Sequence, residues 1–307
     1  MSCDRCAHPA VAWIRYSGAH LCRDHFLAFV EKRVKEELRR QVDLRPGTRV
    51  AVGLSGGKDS STATTLLHDI VAPRRDVQLV AITVDEGIAS YRPGGIESAR
   101  RLCETLGIEH RVVAYRETVG VEMDQVVKLD TEAIPCSHCG PFRRQALNRA
   151  AKEAGADYVA MGLNLDDTAQ SILMDIARAD MDRLARLGPH EVVQPGLVPR
   201  LYPLRMVPEK EVYLYAMLRG IPFHEATCPY AERAQRGRFG AVLAQLEEAS
   251  PGTRHAIVST HDQLRPLLQG KFVAGTPKPC TRCGEPAADA LCKACELSEK
   301  LMRLAAP

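Results

Sequence analysis

No apolar stretch in this chain approaches the run of about 18 residues that a membrane-spanning helix requires, so no such helix is expected. The segment Met1-Ser2-Cys3-Asp4-Arg5-Cys6 lacks the apolar core of a secretory signal, and the expected location is the cytoplasm. Net charge is nearly absent: 41 Lys and Arg against 38 Asp and Glu leave +3 over 307 residues, too little to argue for or against a nucleic-acid partner. Lysine itself is scarce. It supplies 10 of the 41 cations, leaving 31 arginines, a side chain suited to bidentate phosphate contacts and equally one that follows genomic base composition. Internal repeats and low-complexity tracts are missing too, and a composition 45% apolar and 26% charged is that of a globular chain.

An even set of cysteines is also lacking. There are 11, at positions 3, 6, 22, 103, 136, 139, 228, 280, 283, 292 and 295. An odd number in a chain expected in the cytoplasm argues against a disulfide framework. Eight of the eleven fall in four C-x-x-C pairs, which makes metal the first hypothesis.

The pattern along the chain alternates strand with helix. Strand-like runs at Arg49–Leu54, Val77–Val84, Arg111–Ala114 and Tyr158–Met161 are separated by helical stretches at Ser61–Asp69, Ile96–Leu106 and Phe142–Ala154. Such alternation predicts an α/β fold, a parallel sheet flanked by helices. A charged stretch over 31–42 reads as a solvated helix face. From Pro208 the pattern turns helical, over Glu209–Leu218, Phe239–Ala249 and Gly252–Leu268. Four units are expected: a Cys/His-rich module at 1–30, the sheet domain at 31–207, a helical extension at 208–276 and a Cys-rich module at 277–307.

The first strand runs into Ser55-Gly56-Gly57-Lys58-Asp59-Ser60 and then a helix. Glycines let backbone N–H groups approach phosphates, the helix N-terminus adds its dipole, and Lys58 adds a point charge. A Walker A loop is excluded: Gly53 and Gly57 are one residue too close, and Asp59 stands where Ser or Thr is needed. The loop resembles the S-G-G-x-D-S signature of the PP-loop ATP pyrophosphatases, which split ATP between its α and β phosphates. In that setting Asp59 can hold Mg²⁺ against the phosphates. Ligands of such sheets lie at the carboxyl ends of the strands, so Val84 and Asp85 after the second strand, and Gly162 and Asp166 after the fourth, are expected to share the site.

Three groups of cysteines remain. Cys3, Cys6, Cys22 and His25 have the number and spacing of a tetrahedral zinc site. So do Cys280, Cys283, Cys292 and Cys295. End segments this poor in core-forming residues need such a staple. The third group is Cys136 and Cys139 in Pro135-Cys136-Ser137-His138-Cys139-Gly140, with Cys228 far downstream. Spacing leaves three readings open: a metal centre or iron–sulfur cluster with one free position, a third zinc completed by His138 or His224, or a redox dithiol unrelated to Cys228. Cys103, in a helical stretch, reads as core.

Together, Ser55–Ser60, Pro135–Gly140, Gly162-Leu163-Asn164-Leu165-Asp166-Asp167, Cys228-Pro229 and both terminal modules resemble the tRNA 2-thiolation enzymes of the TtuA/TtcA type, above all the TtuA branch with its archaeal and eukaryotic cytoplasmic relatives. The resemblance covers the whole chain. It implies an ATP-dependent tRNA uridine 2-sulfurtransferase, in which the uridine C2 oxygen is adenylated and then replaced by sulfur. It implies that Gly53, Leu54, Ser55, Gly57, Lys58, Asp59 and Ser60, with Val84, Asp85, Gly162 and Asp166, hold ATP and Mg²⁺. It implies a [4Fe-4S] cluster on Cys136, Cys139 and Cys228, whose fourth iron binds incoming sulfide, and two structural Zn²⁺ in the terminal modules. Arg143 stands where relatives carry a Lys/Arg pair, and Leu163 replaces a histidine common in the family. The resemblance further implies a ubiquitin-like sulfur carrier or free sulfide as donor, a homodimer, and uridine 34 or 54 as target.

Substrate RNA would bind through phosphate contacts, with the 32–40 helix and Arg233, Arg236 and Arg238 as candidates. Two other readings compete. One is a different PP-loop ligase, of amidotransferase or lysidine type, which needs neither the central cysteines nor the terminal modules. The other is a zinc-ribbon RNA adaptor with an inert nucleotide loop, against which the intact Ser55–Ser60 loop speaks.

Overall fold

Two short strands, Ala12–Ile14 (β1) and Ala19–Leu21 (β2), pair antiparallel and lead into the helix Arg23–Gln41 (α1) in a computed structural model that describes residues 1–190, 194–231, 236–272 and 275–305. The helix begins eight residues before the charged stretch read from sequence. Phe26, Leu27, Val30, Val34 and Leu38 form one buried stripe that carries it back to the cysteine knuckle.

Five strands form the central sheet: Arg49–Gly53 (β3), Gln78–Asp85 (β4), Glu109–Ala114 (β5), Tyr158–Met161 (β6) and Arg200–Leu201 (β7). All pairs are parallel and the order is β5-β4-β3-β6-β7. The edge strand β7 was not expected; two residues are too few to leave a periodic signal. The connecting helices are Lys58–Val71 (α2), Arg92–Leu106 (α3), Tyr115–Thr118 (α4), Met123–Leu129 (α5), Pro135–Glu153 (α6), Leu165–Ala177 (α7) and Met181–Arg186 (α8). The strand order reverses at β3, between β4 and β6, and that reversal opens the crevice where ligands of such sheets bind.

After the sheet come Glu209–Arg219 (α9), Arg236–Ala249 (α10) and Thr253–Lys271 (α11). Leu243 and Val258 of this extension pack on Leu165, Ala169 and Ile172 of α7. The chain closes with Lys278–Pro279 (β8), Pro286–Ala287 (β9) and Lys293–Ala305 (α12). The central strands are buried on both faces, as a helix-covered parallel sheet requires. On one face Ala51, Val80 and Ile82 meet Phe142 and Ala146 of α6, and Cys295 and Leu301 of the C-terminal module join the same core. On the other, Leu54 and Ala81 meet Leu66, Leu102 and Tyr215, joined by Leu21 and Phe26 from the N-terminal side. The two cysteine modules therefore flank opposite faces of one sheet. Cys103 lies buried in the second core, as the sequence suggested.

Just past β4 a carboxylate is buried. Glu86 is 1% exposed and forms ion pairs with Arg92, at the start of α3, and with Arg143 on α6 at 2.8 Å. Arg92 is itself 2% exposed, and its Nη1 donates to the Ser55 carbonyl at 2.9 Å. The loop after β3 is thus tied to the loop after β4 by charge rather than by apolar packing. Losing one partner of a buried pair strands the other, at a cost of about 3 kcal/mol or more. Arg92→Met is accordingly expected to lower the urea unfolding free energy by about 3 kcal/mol, whereas Arg100→Met, an exposed pair on the same helix, should change it by less than about 1 kcal/mol.

Candidate active site and metal centres

The crevice at the carboxyl ends of β3, β4 and β6 is a cavity of about 240 Å³. Of the residues expected at a nucleotide, Gly53, Leu54, Ser55, Gly57, Asp59, Ser60, Val84, Gly162 and Arg143 line it. The loop is held by its own side chains: Ser60 Oγ accepts from the Ser55 N–H at 3.0 Å and donates to the Gly57 carbonyl at 3.1 Å. Gly56 has φ +81°, and a Cβ there would collide with the Gly95 carbonyl. Gly162 approaches so closely that a Cβ would sit 2.8 Å from the Ser60 backbone. These two positions need glycine because α3 and α2 crowd the loop.

Three expected residues lie outside the lining. Lys58 Nζ is turned to Glu209, at 2.7 Å, and Asp59, at 3.0 Å. Burial opposes the lysine charge, but these two carboxylates outweigh it and raise its pKa. Asp85 accepts from the Gly87 N–H at 2.9 Å, shaping its own turn. Asp166 accepts from the Glu209 N–H at 2.8 Å and pairs with Arg254 at 2.9 Å, which anchors the helical extension to α7.

It is the next residue, Asp167, that lines the cavity, together with Glu86. Sequence reasoning passed over both, although Glu86 follows the strand-end aspartate directly. Asn164 caps α7: its side chain accepts from the Asp167 N–H at 3.0 Å and donates to Asp59 at 2.9 Å. The two carboxylates Asp59 and Asp167 thereby face one cavity. Burial pushes the Asp167 pKa up, Arg236 at 2.9 Å opposes this, and Asp59 adds to it. Two acidic groups in mutual repulsion beside a phosphate cradle form a natural seat for a divalent cation.

Helix α6 begins at Pro135 rather than Phe142, because proline suits the first helical position and its missing N–H is one of the unpaired donors there. Cys136, His138 and Cys139 consequently lie in the first turn, not in a preceding loop. Cys139 and Arg143 are four residues apart on one helix face, and Arg143 Nη2 donates to Cys139 Sγ at 3.3 Å. Arg143 and Leu147, one turn further on, both line the nucleotide cavity. Arg143 is the bridge: Glu86 and the cavity on one side, Cys139 on the other. Burial disfavours its charge, and Cys139 and Glu86 more than restore it. Tyr115 donates to the Cys139 carbonyl at 2.8 Å and is buried against Phe142.

Cys228 reaches this end of α6 from the segment after α9. That segment is pinned by the His224 N–H on the Gly56 carbonyl, 2.7 Å, and by Tyr230 donating to Asp124, 2.6 Å. Burial raises the Cys136 pKa, and Cys139 and Cys228 raise it further, so the three thiols share one neighbourhood. They are not all within 4.8 Å of one another, however. A single tetrahedral ion holds thiolates about 3.8 Å apart. A cubane cluster is several bonds wide and holds them farther apart. His138 does not complete a zinc set: it is buried with Nε2 3.2 Å from Asp130, which Lys300 of α12 also grips. The donor set fits a cluster better than a third zinc.

The terminal groups behave differently. The ligand atoms of Cys3, Cys6, Cys22 and His25 lie within 4.8 Å of one another, as do those of Cys280, Cys283, Cys292 and Cys295, and each group could hold a metal ion. His25 Nδ1 is 3.3–3.5 Å from three sulfurs, Cys6 and Cys22 are 3.6 Å apart, and Cys283 and Cys292 are 3.7 Å apart. Such spacings suit one tetrahedral ion. Among the RNA candidates, Arg236 is engaged with Asp167, Arg238 is exposed, and Arg233 lies outside the described residues. No helix among the described residues is long and apolar enough to cross a membrane.

Known proteins match this arrangement. Residues 29–246 match the PP-loop domain, and residues 2–27 match the N-terminal LIM domain of the 2-thiouridine synthetase TtuA. The chain is 41% identical to the tRNA 2-thiolation protein NcsA of Haloferax volcanii, covering 98% of this chain and 99% of that one. It is 35% identical to the cytoplasmic tRNA 2-thiolation protein 1 of Xenopus laevis, covering 94% and 84%. Among solved structures, the U34-tRNA thiolase NcsA of Methanococcus maripaludis with its [4Fe-4S] cluster superposes with a TM-score of 0.85 at 34% identity, covering 98% of this chain and 96% of that one. The phosphate cradle and the three central thiols lie within the matched PP-loop range, the first cysteine knuckle lies within the matched LIM range, and the chain belongs to the PP-loop tRNA 2-thiolation family.

Proposed function

We propose that this protein is an ATP-dependent sulfurtransferase that replaces the C2 oxygen of a tRNA uridine by sulfur, with uridine 34 as its target. The observation that carries the reading is Arg143, which lines the nucleotide cavity and donates to Cys139 Sγ at 3.3 Å, joining adenylation and sulfur delivery within one helix turn. The solved relative described as a U34-tRNA thiolase supports the choice of position.

The chemistry divides in two. The uridine O2 attacks the α-phosphate of ATP, the bond to the β-phosphate breaks, and pyrophosphate leaves. The sulfur of hydrosulfide then attacks C2, the C2–O bond breaks, AMP departs with that oxygen, and one proton is released. The Ser55–Ser60 loop holds the phosphates, Asp59 and Asp167 hold Mg²⁺, and Lys58 steadies Asp59 from outside the cavity. Asp166 keeps its partner Arg254 and positions the extension that carries Arg236. Cys136, Cys139 and Cys228 would hold a [4Fe-4S] cluster, which would supply Lewis-acid binding of sulfide. The terminal modules each hold one structural Zn²⁺. A ubiquitin-like carrier thiocarboxylate or sulfide is the donor, the enzyme is a homodimer, and it works in the cytoplasm.

Four outcomes test this reading. Anaerobically purified protein should contain about four iron and two zinc per chain by plasma mass spectrometry; three zinc and no iron would overturn the cluster. Cys228→Ala should lose the iron and its visible absorbance, and with them thiolation, while ATP binding persists; unaltered 2-thiouridine formation would remove Cys228 from the site. By calorimetric titration, Asp167→Asn should weaken Mg²⁺–ATP binding about tenfold or more, whereas Asp166→Asn should lower folding stability and leave that affinity within about threefold. The reverse order would return the metal to Asp166. Mapping 2-thiouridine in tRNA from a deletion strain decides the position: its loss at 34 is expected, and its loss at 54 alone would refute it.

A further inference from the structure

On the far side of α6, where that helix meets the C-terminal module and β7, lies a second cavity of about 230 Å³. Arg144, Arg200, Gln145, Lys293, Cys292 and Glu285 are in its lining. Its charges are unbalanced. Glu285 is the lining's carboxylate among the described residues, and it is consumed by Asn148, at 2.6 Å, and by Lys152. Lys293 is satisfied by Glu296 at 2.8 Å. Arg144 and Arg200 have no carboxylate partner among the described residues. Loss of solvent pushes the Arg144 pKa down, and the guanidiniums of Arg200 and Arg183 push it further. His190, whose N–H meets the Arg200 carbonyl, is driven down to about 4 by burial, Arg200 and Arg265, so the positive field extends across this seam.

Two arginines that line one cavity without a carboxylate between them repel each other, and an anion seated between them relieves that repulsion. The fork of an arginine pair matches phosphate oxygens bidentately. Placement adds the class of anion. Arg144 directly follows Arg143, so the two side chains leave α6 about 100° apart, one toward the nucleotide cavity and one toward the seam. The seam is walled by the knuckle itself: Gln145 Nε2 donates to Cys283 Sγ at 3.2 Å and to Cys292 Sγ at 3.5 Å.

We propose that the seam between α6 and the C-terminal module is a binding site for a backbone phosphate of the substrate RNA, held by Arg144 and Arg200. The C-terminal metal then sets one wall of an RNA site, beyond its role as a staple. The proposal rests on the tRNA reading above and adds to it where on the surface the strand is held.

The test is binding of the metal-loaded protein to a substrate tRNA transcript across a series of KCl concentrations. Removing one phosphate-neutralising cation makes the slope of log affinity against log salt shallower by about 1. The double variant Arg144→Gln/Arg200→Gln should bind about tenfold more weakly at roughly physiological salt, with a slope shallower by about 2. Its Mg²⁺–ATP affinity and its iron and zinc contents should match the parent protein. Arg200→Lys, which keeps charge but not the fork, should retain the slope and lose part of the affinity. Unchanged affinity and slope in the double variant would overturn the phosphate site and leave the tRNA reading standing. Absence of tRNA binding by the parent protein would overturn both. If the double variant loses its metals, Arg200→Gln alone is read the same way, with a slope change of about 1 expected and none overturning the site.

Discussion

A single buried carboxylate organises this molecule. Glu86 is the first residue past the longest strand, and it holds two arginines that come from different helices and do different things. Arg92 supports the Ser55 carbonyl and with it the phosphate loop. Arg143 reaches the Cys139 sulfur. Glu86 and Arg92 cannot be rearranged cheaply, because moving either away leaves the other stranded without water. The nucleotide cradle and the thiol site therefore hold a fixed relation to each other, and that relation is what a two-stage reaction on one uridine needs.

Around that centre the helical extension acts as a clasp. Three of its attachments land on nucleotide-site elements: Arg254 on Asp166, Arg236 on Asp167, and the His224 N–H on the Gly56 carbonyl. The third cysteine travels on the same extension. One short segment holds both the contact of His224 with the loop and Cys228, four residues further on. The Asp166–Asp167 pair divides labour by helical position. Adjacent residues on α7 point in different directions, so one carboxylate serves the clasp while the other serves the cavity.

Much of this was legible in the residues. Strand–helix alternation and the Ser55–Ser60 loop fixed the sheet and its ligand end, and the C-x-x-C spacings picked out both terminal groups that could hold a metal, because sequence separation sets how far apart ligands can sit in a short knuckle. What stayed hidden was directional. A motif ending in Asp166-Asp167 does not tell which carboxylate faces inward; the capping of α7 by Asn164 does. Glu86 looked like one more polar residue at a strand end, since burial of a charge is visible only once its two arginines arrive from 6 and 57 positions downstream. Arg144 and Arg200, without a carboxylate partner among the described residues, were masked by a net charge of +3, a sum that carries no information about where neutralisation fails.

The contact between Lys300 of α12 and Asp130, which in turn faces His138 between the two α6 cysteines, bears on the order in which the molecule is made. Synthesis runs from the N-terminal end, so the phosphate loop, the α6 thiols and Cys228 all exist before residue 300 emerges. The wall behind His138 is finished only then. Three free thiols on an unfinished chain are vulnerable to oxidation and to capture of the wrong metal. The support behind His138 thus comes from a residue made more than 160 positions after it, so the thiols of α6 and Cys228 are translated before that support exists.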